Sequence, residues 1–158
     1  MASENQTRDS ADVIALPPVI FAAGFAAGLL LQSLLPFHVF SNRPVRLIGL
    51  GLTVVSGLLA LWAARTMSRA GTCIDPRRST VAIVTTGPFR FTRNPLYVSL
   101  ALLTIGAALH FDIPWALITF IPIVLIVQYG VILREERYLA AKFGSAYLEY
   151  KQRTRRWF

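Results

Sequence analysis

The stretch Gly87-Pro88-Phe89-Arg90-Phe91-Thr92-Arg93-Asn94-Pro95-Leu96-Tyr97 leads from a polar segment into an uncharged run. It carries two arginines, a Gly-Pro turn and an Asn-Pro pair, and such pairs interrupt local structure before a new helix begins. A second uncharged run ends in Arg134-Glu135-Glu136-Arg137. Two charged clusters therefore flank one apolar hairpin, and this arrangement favours a site at a membrane surface over a soluble core.

The composition is that of a membrane protein. Of the 158 residues, 54% are hydrophobic and only 15% are charged, whereas soluble domains carry about 25% charged residues. A helix crosses the bilayer core with about 20 mostly apolar residues, and the third run is the weakest candidate because it starts at the interface. We predict an all-α membrane protein in a single domain, 1–158, with about four transmembrane helices in the runs 13–42, 47–64, 94–111 and 113–133.

Charge placement predicts the orientation of these spans. The connection 41–45 holds one arginine and the turn 110–114 holds none, whereas residues 65–93 hold six arginines and residues 134–158 hold seven Lys or Arg. Because cytoplasmic segments carry the excess of Lys and Arg, both termini are predicted to be cytoplasmic in a multi-pass membrane protein. The net charge of +8 is then an orientation signal with affinity for anionic lipid headgroups, and no nucleic acid partner is expected.

Small residues in the first span predict a close helix contact. Gly24 and Gly28 form a GxxxG pattern, which lets two helix backbones approach closely. The partner is either the second span, through Gly49 and Gly57, or another copy of the chain, which would make a homo-oligomer.

Several other function classes are not favoured. Transporters and ion pathways place ionisable groups inside the membrane, and the interiors of the four runs have no Asp, Glu, Lys or Arg. The single cysteine, Cys73, excludes an internal disulfide, and no metal-ligand spacing is present. His38 and His110 fall on the predicted outer side, so we interpret them as interfacial residues.

The segment before the third run is patterned rather than a plain loop. The β-branched-rich residues 81–84 predict a short extended stretch before the Gly-Pro turn. Pro95 is expected to start a helix, whose exposed amides, with Arg90 and Arg93 nearby, would form an anion receptor. The alternative is that these arginines contact lipid phosphates. Glu135 and Glu136 likewise have a simpler interpretation, as charges that end a span and pair with neighbouring arginines.

Together these motifs resemble the isoprenylcysteine carboxyl methyltransferase family, integral-membrane enzymes that use S-adenosylmethionine. The resemblance rests on residues 85–90, the motif at 93–97, the glutamate pair and the tail 143–150. It implies a cytoplasmic cofactor pocket built from the loop before the third helix and the C-terminal tail. The resemblance and the cofactor's chemistry give the expected cofactor-binding residues Val81, Ala82, Ile83, Val84, Phe89, Arg93, Asn94, Pro95, Leu96, Tyr97 and Glu135.

The residue types at these positions suit S-adenosylmethionine, which carries a carboxylate, an ammonium and a sulfonium. Backbone amides, Arg93 and Asn94 can hold the carboxylate, and Glu135 can pair with the ammonium or bind the ribose. Phe89 and Tyr97 can wall the adenine or face the sulfonium, because a cation over an aromatic ring is favourable.

Two departures from the family pattern bear on the substrate and the chemistry. Many members have His where this chain has Asn94, so base catalysis at that position is excluded, and no catalytic residue is assigned. Eukaryotic members carry an Arg about one turn before the glutamate pair, where this chain has Val131, with Arg134 as the nearest substitute. An isoprenoid or lipid carboxylate or amine, entering from the bilayer, is therefore as credible an acceptor as a prenylated protein.

Two other function classes stay open, a membrane reductase using a nicotinamide cofactor and a non-catalytic membrane scaffold. A further expectation concerns the tail, in which Tyr147, Tyr150 and Trp157 are predicted to close over the cofactor as an interfacial lid. The alternative is that these aromatic residues only anchor the tail among lipid headgroups.

Overall fold

Helices account for the regular structure in the computed structural model, which describes residues 11–72 and 80–157. A 3-10 turn, Gly87–Arg90, precedes α3, and a π turn, Gln128–Ile132, joins α4 to α5. No β-strand occurs in these two ranges, and the predicted extended stretch at 81–84 is irregular chain. Cys73 lies outside the described residues. The α-helices are α1 Pro17–Leu34, α2 Arg43–Arg69, α3 Pro95–His110, α4 Pro114–Val127, α5 Leu133–Phe143 and α6 Ser145–Arg153.

Proline marks the start of each of the first four helices. The first turns of α1, α2, α3 and α4 all contain one, and proline suits this position because its missing N–H has no partner there. Pro95 is the first residue of α3, as predicted from the sequence. The start of α2 is also capped, because the Asn42 side chain accepts a 3.0 Å hydrogen bond from the Val45 amide.

Three helical stretches are long and apolar enough to cross a membrane, namely Pro17–Leu34, Arg43–Arg69 and the continuous Pro114–Phe143. The helix α3 is apolar but shorter. It has 16 residues and is about 24 Å long at 1.5 Å per residue. Most residues of the three long stretches are not buried within the protein, and apolar side chains such as Leu30, Leu58 and Ile121 are at least 60% exposed. The prediction of an all-α integral membrane protein is confirmed.

The first helix packs along α4, and the second along α3. A Cβ atom at Gly24 would collide with Ile123, and one at Gly28 with the backbone of Ala116. The Thr119 hydroxyl also donates a 2.9 Å hydrogen bond to the Gly24 carbonyl. The expectation that these glycines meet the second helix is wrong, because their partner is α4.

The glycine assigned to the second helix serves a different contact. Gly49 lies against the backbone of Gly106 and His110 in α3, and the Ser56 hydroxyl donates a 2.8 Å hydrogen bond to the Ser99 carbonyl. A Cβ added at Gly57 would meet no atom of the described chain within 4 Å. The homo-oligomer hypothesis would therefore need a surface other than Gly24 and Gly28, which α4 already covers.

Asp112 ties together the two connections at one end of the bundle. Its carboxylate accepts hydrogen bonds of 3.0 Å and 2.7 Å from the amides of Val39 and Phe40, and one of 2.7 Å from the Ser41 hydroxyl. Burial acts to raise its pKa, but these hydrogen bonds outweigh burial and lower the pKa of Asp112 to about 2. The α3–α4 turn is thereby fixed to the α1–α2 connection.

Both histidines lie at this same end. His38 is 3.3 Å from the Asp112 carboxylate, and His110 Nδ1 is 3.0 Å from the carbonyl of Arg46. Because α3 starts at Pro95 and ends at His110, the two histidines are a full helix length from the Asn-Pro motif. Among the described residues, no cluster of His, Cys, Asp and Glu is suited to a metal ion.

Candidate active site

A cavity opens at the other end of the bundle, where α3 begins. It lies between the end of α2, the irregular segment before α3, and the two short helices α5 and α6. The open space at this site, counted together with its mouth to solvent, is about 870 Å³. Its lining residues are Ala11, Met67, Thr72, Thr80, Ala82, Ile83, Val84, Phe89, Arg93, Asn94, Pro95, Leu96, Tyr97, Glu135, Glu136, Tyr138, Leu139, Tyr147 and Tyr150.

The structure brings together all but one of the residues predicted to bind a cofactor. Val81 is 70% exposed and lies outside the lining. The others all border this cavity, namely Ala82, Ile83, Val84, Phe89, Arg93, Asn94, Pro95, Leu96, Tyr97 and Glu135. The two charged clusters of the sequence, some forty residues apart, thus meet at one site because α3 and α4 fold back on each other.

Arg93 gives the cavity a positive wall with spare hydrogen-bonding capacity. Its side chain is only 9% exposed, and its Nη2 lies 3.3 Å from Glu136. Among the described residues, its buried Nε and Nη1 have no hydrogen-bond partner. A buried donor without a partner is costly, so these atoms fit an anionic group of a ligand. By contrast Arg90, three residues earlier, is exposed and does not line the cavity.

Glu135 gives the same cavity an acidic side chain. The Tyr97 hydroxyl donates a 2.8 Å hydrogen bond to Glu135 Oε1, which connects the first turn of α3 to α5. The π turn lies directly before α5, and such turns occur frequently at functional sites. The cavity therefore contains an acidic side chain and a guanidinium. These two groups suit the ammonium and the carboxylate of a zwitterion, respectively.

Glu136 also lines the cavity and is the centre of an ion cluster. The Arg156 guanidinium donates two hydrogen bonds to its carboxylate, of 2.7 Å and 2.9 Å. Lys151 lies 3.5 Å away and Arg93 3.3 Å away. The Glu136 side chain is 6% exposed, and three cations surround it, so the cluster keeps a net positive charge.

The last described residues accept hydrogen bonds from the residues just before α3. The Arg93 amide donates a 2.9 Å hydrogen bond to the Arg155 carbonyl. The Thr92 hydroxyl and the Asn94 side-chain amide both donate to the Arg156 carbonyl, at 3.0 Å and 2.9 Å. Asn94 lines the cavity, but its NH₂ group binds the C-terminal segment, which limits its expected role in holding a carboxylate.

Two of the three aromatic residues predicted to form a lid line the cavity. Tyr147 is 2% exposed, and its ring lies 6.2 Å from that of Tyr150, whose hydroxyl donates to the Phe89 carbonyl at 2.8 Å. Burial and the nearby Glu136 raise the pKa of Tyr147 to about 12, so it stays neutral. Trp157 is placed elsewhere, since it packs on the core and donates a 2.9 Å hydrogen bond to Gln128.

Sequence reasoning missed several residues of this site. Tyr138 and Leu139 line the cavity and lie three and four residues after Glu135, a spacing that places side chains on one helix face and could have revealed them. Glu136 is interpreted from the sequence as a charge that ends a span and pairs with a neighbouring arginine, whereas the structure pairs it with Arg93, Lys151 and Arg156. For Arg156 and Lys151 no signal in the sequence points to Glu136, because only the fold of α6 and the tail brings them together.

Comparison with known proteins shows the family to which this chain belongs. The sequence profile of the phospholipid methyltransferase family matches residues 45–146, well over half of the chain. This chain belongs to the phospholipid methyltransferase family. The matched range contains the Arg-Asn-Pro-Leu-Tyr motif, the glutamate pair and most of the cavity lining.

The phospholipid methyltransferase family consists of integral-membrane methyltransferases related to the isoprenylcysteine carboxyl methyltransferases, which confirms the resemblance seen in the motifs. The family points to a methyltransferase rather than to a reductase. An uncharacterized protein of Haemophilus influenzae is 39% identical over 62 residues, which are 39% of this chain and 98% of that protein. No solved structure gives a significant match.

Proposed function

We propose that this protein transfers a methyl group from S-adenosylmethionine to a lipophilic acceptor at the cytoplasmic face of the membrane. The acceptor is an isoprenoid or lipid carboxylate or amine. One observation carries the proposal. A single cavity contains both Glu135 and Arg93, whose buried Nε and Nη1 have no hydrogen-bond partner in the described part of the chain. The amino-acid part of this cofactor carries the two complementary charges.

The cavity residues divide between binding and orientation. Arg93 would hold the carboxylate through Nε and Nη1, and Glu135, fixed by Tyr97, would hold the ammonium or the ribose. Phe89 and Tyr147, both buried at the cavity wall, would flank the adenine or the sulfonium. When bound, S-adenosylmethionine supplies an electrophilic methyl group, so the protein contributes mainly by positioning the two reactants.

The position of the cavity suits a reaction between a polar and a lipophilic partner. It lies at the end of the bundle that carries the arginine-rich segment and the basic tail, which the positive-inside tendency places in the cytoplasm. The exposed apolar surfaces of the membrane helices would let a lipophilic acceptor approach the cavity from the bilayer. The family description, phospholipid methyltransferase, makes lipid headgroup amines the first acceptors to test.

A methyl-transfer assay tests the proposal. Purified protein would be incubated with S-adenosylmethionine labelled in its methyl group and with vesicles of phosphatidylcholine alone, or with phosphatidylethanolamine or a farnesyl carboxylate added. We expect label in the organic phase for at least one acceptor, and none with the Arg93→Gln variant. Tight binding of a reduced nicotinamide cofactor, with no binding of S-adenosylmethionine, would instead favour the reductase alternative.

A further inference from the structure

Two arginine side chains in the cluster around Glu136 compete for its single carboxylate. Arg93 and Arg156 both approach Glu136, and the two arginines bind it differently. Arg156 makes two short hydrogen bonds, of 2.7 Å and 2.9 Å, in the bidentate geometry that is strongest for this pair of groups. Arg93 is 3.3 Å away through a single nitrogen, Nη2. Glu136 is therefore committed to Arg156.

This arrangement determines what Arg93 has left for a ligand. Its Nε and Nη1 lack hydrogen-bond partners among the described residues, while Glu136 lies 3.3 Å from Nη2 of the same guanidinium. Without Arg156, Glu136 would keep only one other cation besides Arg93, the half-exposed Lys151 at 3.5 Å. It would therefore turn to the guanidinium of Arg93 and pair with it in the same bidentate manner. Such a pair would occupy the free donors of Arg93 and neutralise its charge.

We propose that Arg156 is a positioning residue that keeps Arg93 available for the anionic end of the ligand by holding Glu136 away from it. Arg156 does not line the cavity, and it lies beyond the residues 45–146 that the family profile matches. It acts through Glu136 on Arg93. This inference rests on the proposed function, since the anionic group in question is the carboxylate of the cofactor.

The tail is built to keep this arrangement in place. The Arg156 carbonyl receives hydrogen bonds from Thr92 and Asn94, on either side of Arg93. The backbone of Arg156 thus fixes the segment that carries Arg93, while its side chain fixes Glu136. A substitution of the Arg156 side chain leaves the backbone contacts possible, so the two roles can be separated by experiment.

Two related nucleosides test the inference. S-adenosylhomocysteine carries the amino-acid carboxylate, whereas methylthioadenosine shares its adenosine and sulfur but has no carboxylate. We expect Arg156→Gln to weaken S-adenosylhomocysteine binding roughly tenfold or more, the size of a lost charge-assisted interaction, with methylthioadenosine affinity unchanged. Arg153→Gln, the same charge change at an exposed position of the same tail, should alter neither affinity.

A second substitution separates competition from a merely structural role. Combining Arg156→Gln with Glu136→Gln removes the competing carboxylate, so S-adenosylhomocysteine affinity should return to near the wild-type value. Glu136→Gln alone, which also serves if Arg156→Gln does not fold, should keep or tighten that affinity. Equal losses for both nucleosides, no loss with Arg156→Gln, or weaker binding with Glu136→Gln would overturn the inference. Absence of binding to the wild-type protein would instead overturn the proposed function, and the inference with it.

Discussion

The Tyr97 hydroxyl donates a 2.8 Å hydrogen bond to the Glu135 carboxylate, and this contact joins the first turn of α3 to α5 across the floor of the cavity. The two residues lie 38 positions apart in the sequence. They meet because α3 and the continuous stretch from α4 to α5 run in opposite directions from the turn at Asp112. The two charged motifs lie at the ends that are far from this turn. The contact therefore links the geometry of the membrane helices to the geometry of the site.

Glu135 and Tyr97 should contribute unequally to cofactor binding. We expect Glu135→Gln to weaken S-adenosylmethionine binding by about 1.5–3 kcal/mol, because it removes a charged acceptor. Tyr97→Phe should cost about 1 kcal/mol, since Glu135 keeps its charge and loses one neutral donor. Calorimetric titration measures both, with the exposed Glu149→Gln as control. Unchanged affinity in a folded Glu135→Gln variant would leave Glu135 as a helix-end charge only.

The close approach of α1 and α4 should depend on Gly28. A Cβ at this position would lie about 2.6 Å from the Ala116 backbone, so the helices must separate to accept it. We expect Gly28→Ala to lower stability by about 1–3 kcal/mol, as overpacking does, measured by thermal unfolding in detergent. The matched control is Gly51→Ala, where an added Cβ meets no atom within 4 Å; it should be neutral or stabilising. Equal stability of both variants would contradict this packing.

Much of the fold follows from the sequence because its determinants are local. Run length, the prolines that start four helices and the Asn-Pro motif each act within a few residues. The choice of partner is different. Gly24 and Gly28 only show that some helix approaches closely, and hydropathy does not distinguish α2 from α4. The partner depends on how all four helices pack, which no local pattern contains.

The same distinction explains the site. The motif at 93–97 and Glu135 were predicted because they resemble known motifs, and the structure places them in one cavity. Trp157 is expected over the cofactor because aromatic residues favour the interface, but its indole instead donates a half-buried hydrogen bond to Gln128. Arg156 could not be predicted, because a single arginine in a basic tail does not reveal which carboxylate it binds.

The connection at the Asp112 end should loosen in acid. The folded-state pKa of Asp112 is about 2, below its ordinary 3.8, so its stabilisation is present above pH 3.8 and lost as pH falls through about 2. We expect Asp112→Asn to lower the Tm at neutral pH. The difference in Tm between the variant and wild type should shrink as pH falls from 3.8 to about 2. A difference that stays constant with pH would show that the Asp112 charge does not stabilise the turn.

Orientation follows from the arginine distribution and is tested separately. Both termini should be cytoplasmic, and the turn at Asp112 should lie outside. A phosphatase that is active only on the outer side of the membrane can be fused to the carboxy terminus or inserted into that turn. We expect phosphatase activity for the turn insertion alone. The reverse pattern would place the cavity on the wrong side for a cytoplasmic cofactor.

Arg93 is the central residue of the proposed function, because it is the proposed receptor for the cofactor's carboxylate. The most direct measurement is a calorimetric titration of purified protein with S-adenosylhomocysteine, comparing wild type with Arg93→Gln and with Arg90→Gln, which makes the same charge change at an exposed position outside the cavity. We expect saturable binding with equal affinity for wild type and Arg90→Gln, and binding weaker by roughly tenfold or more for Arg93→Gln. Equal affinity in all three proteins, or no binding to any of them, would contradict this proposal.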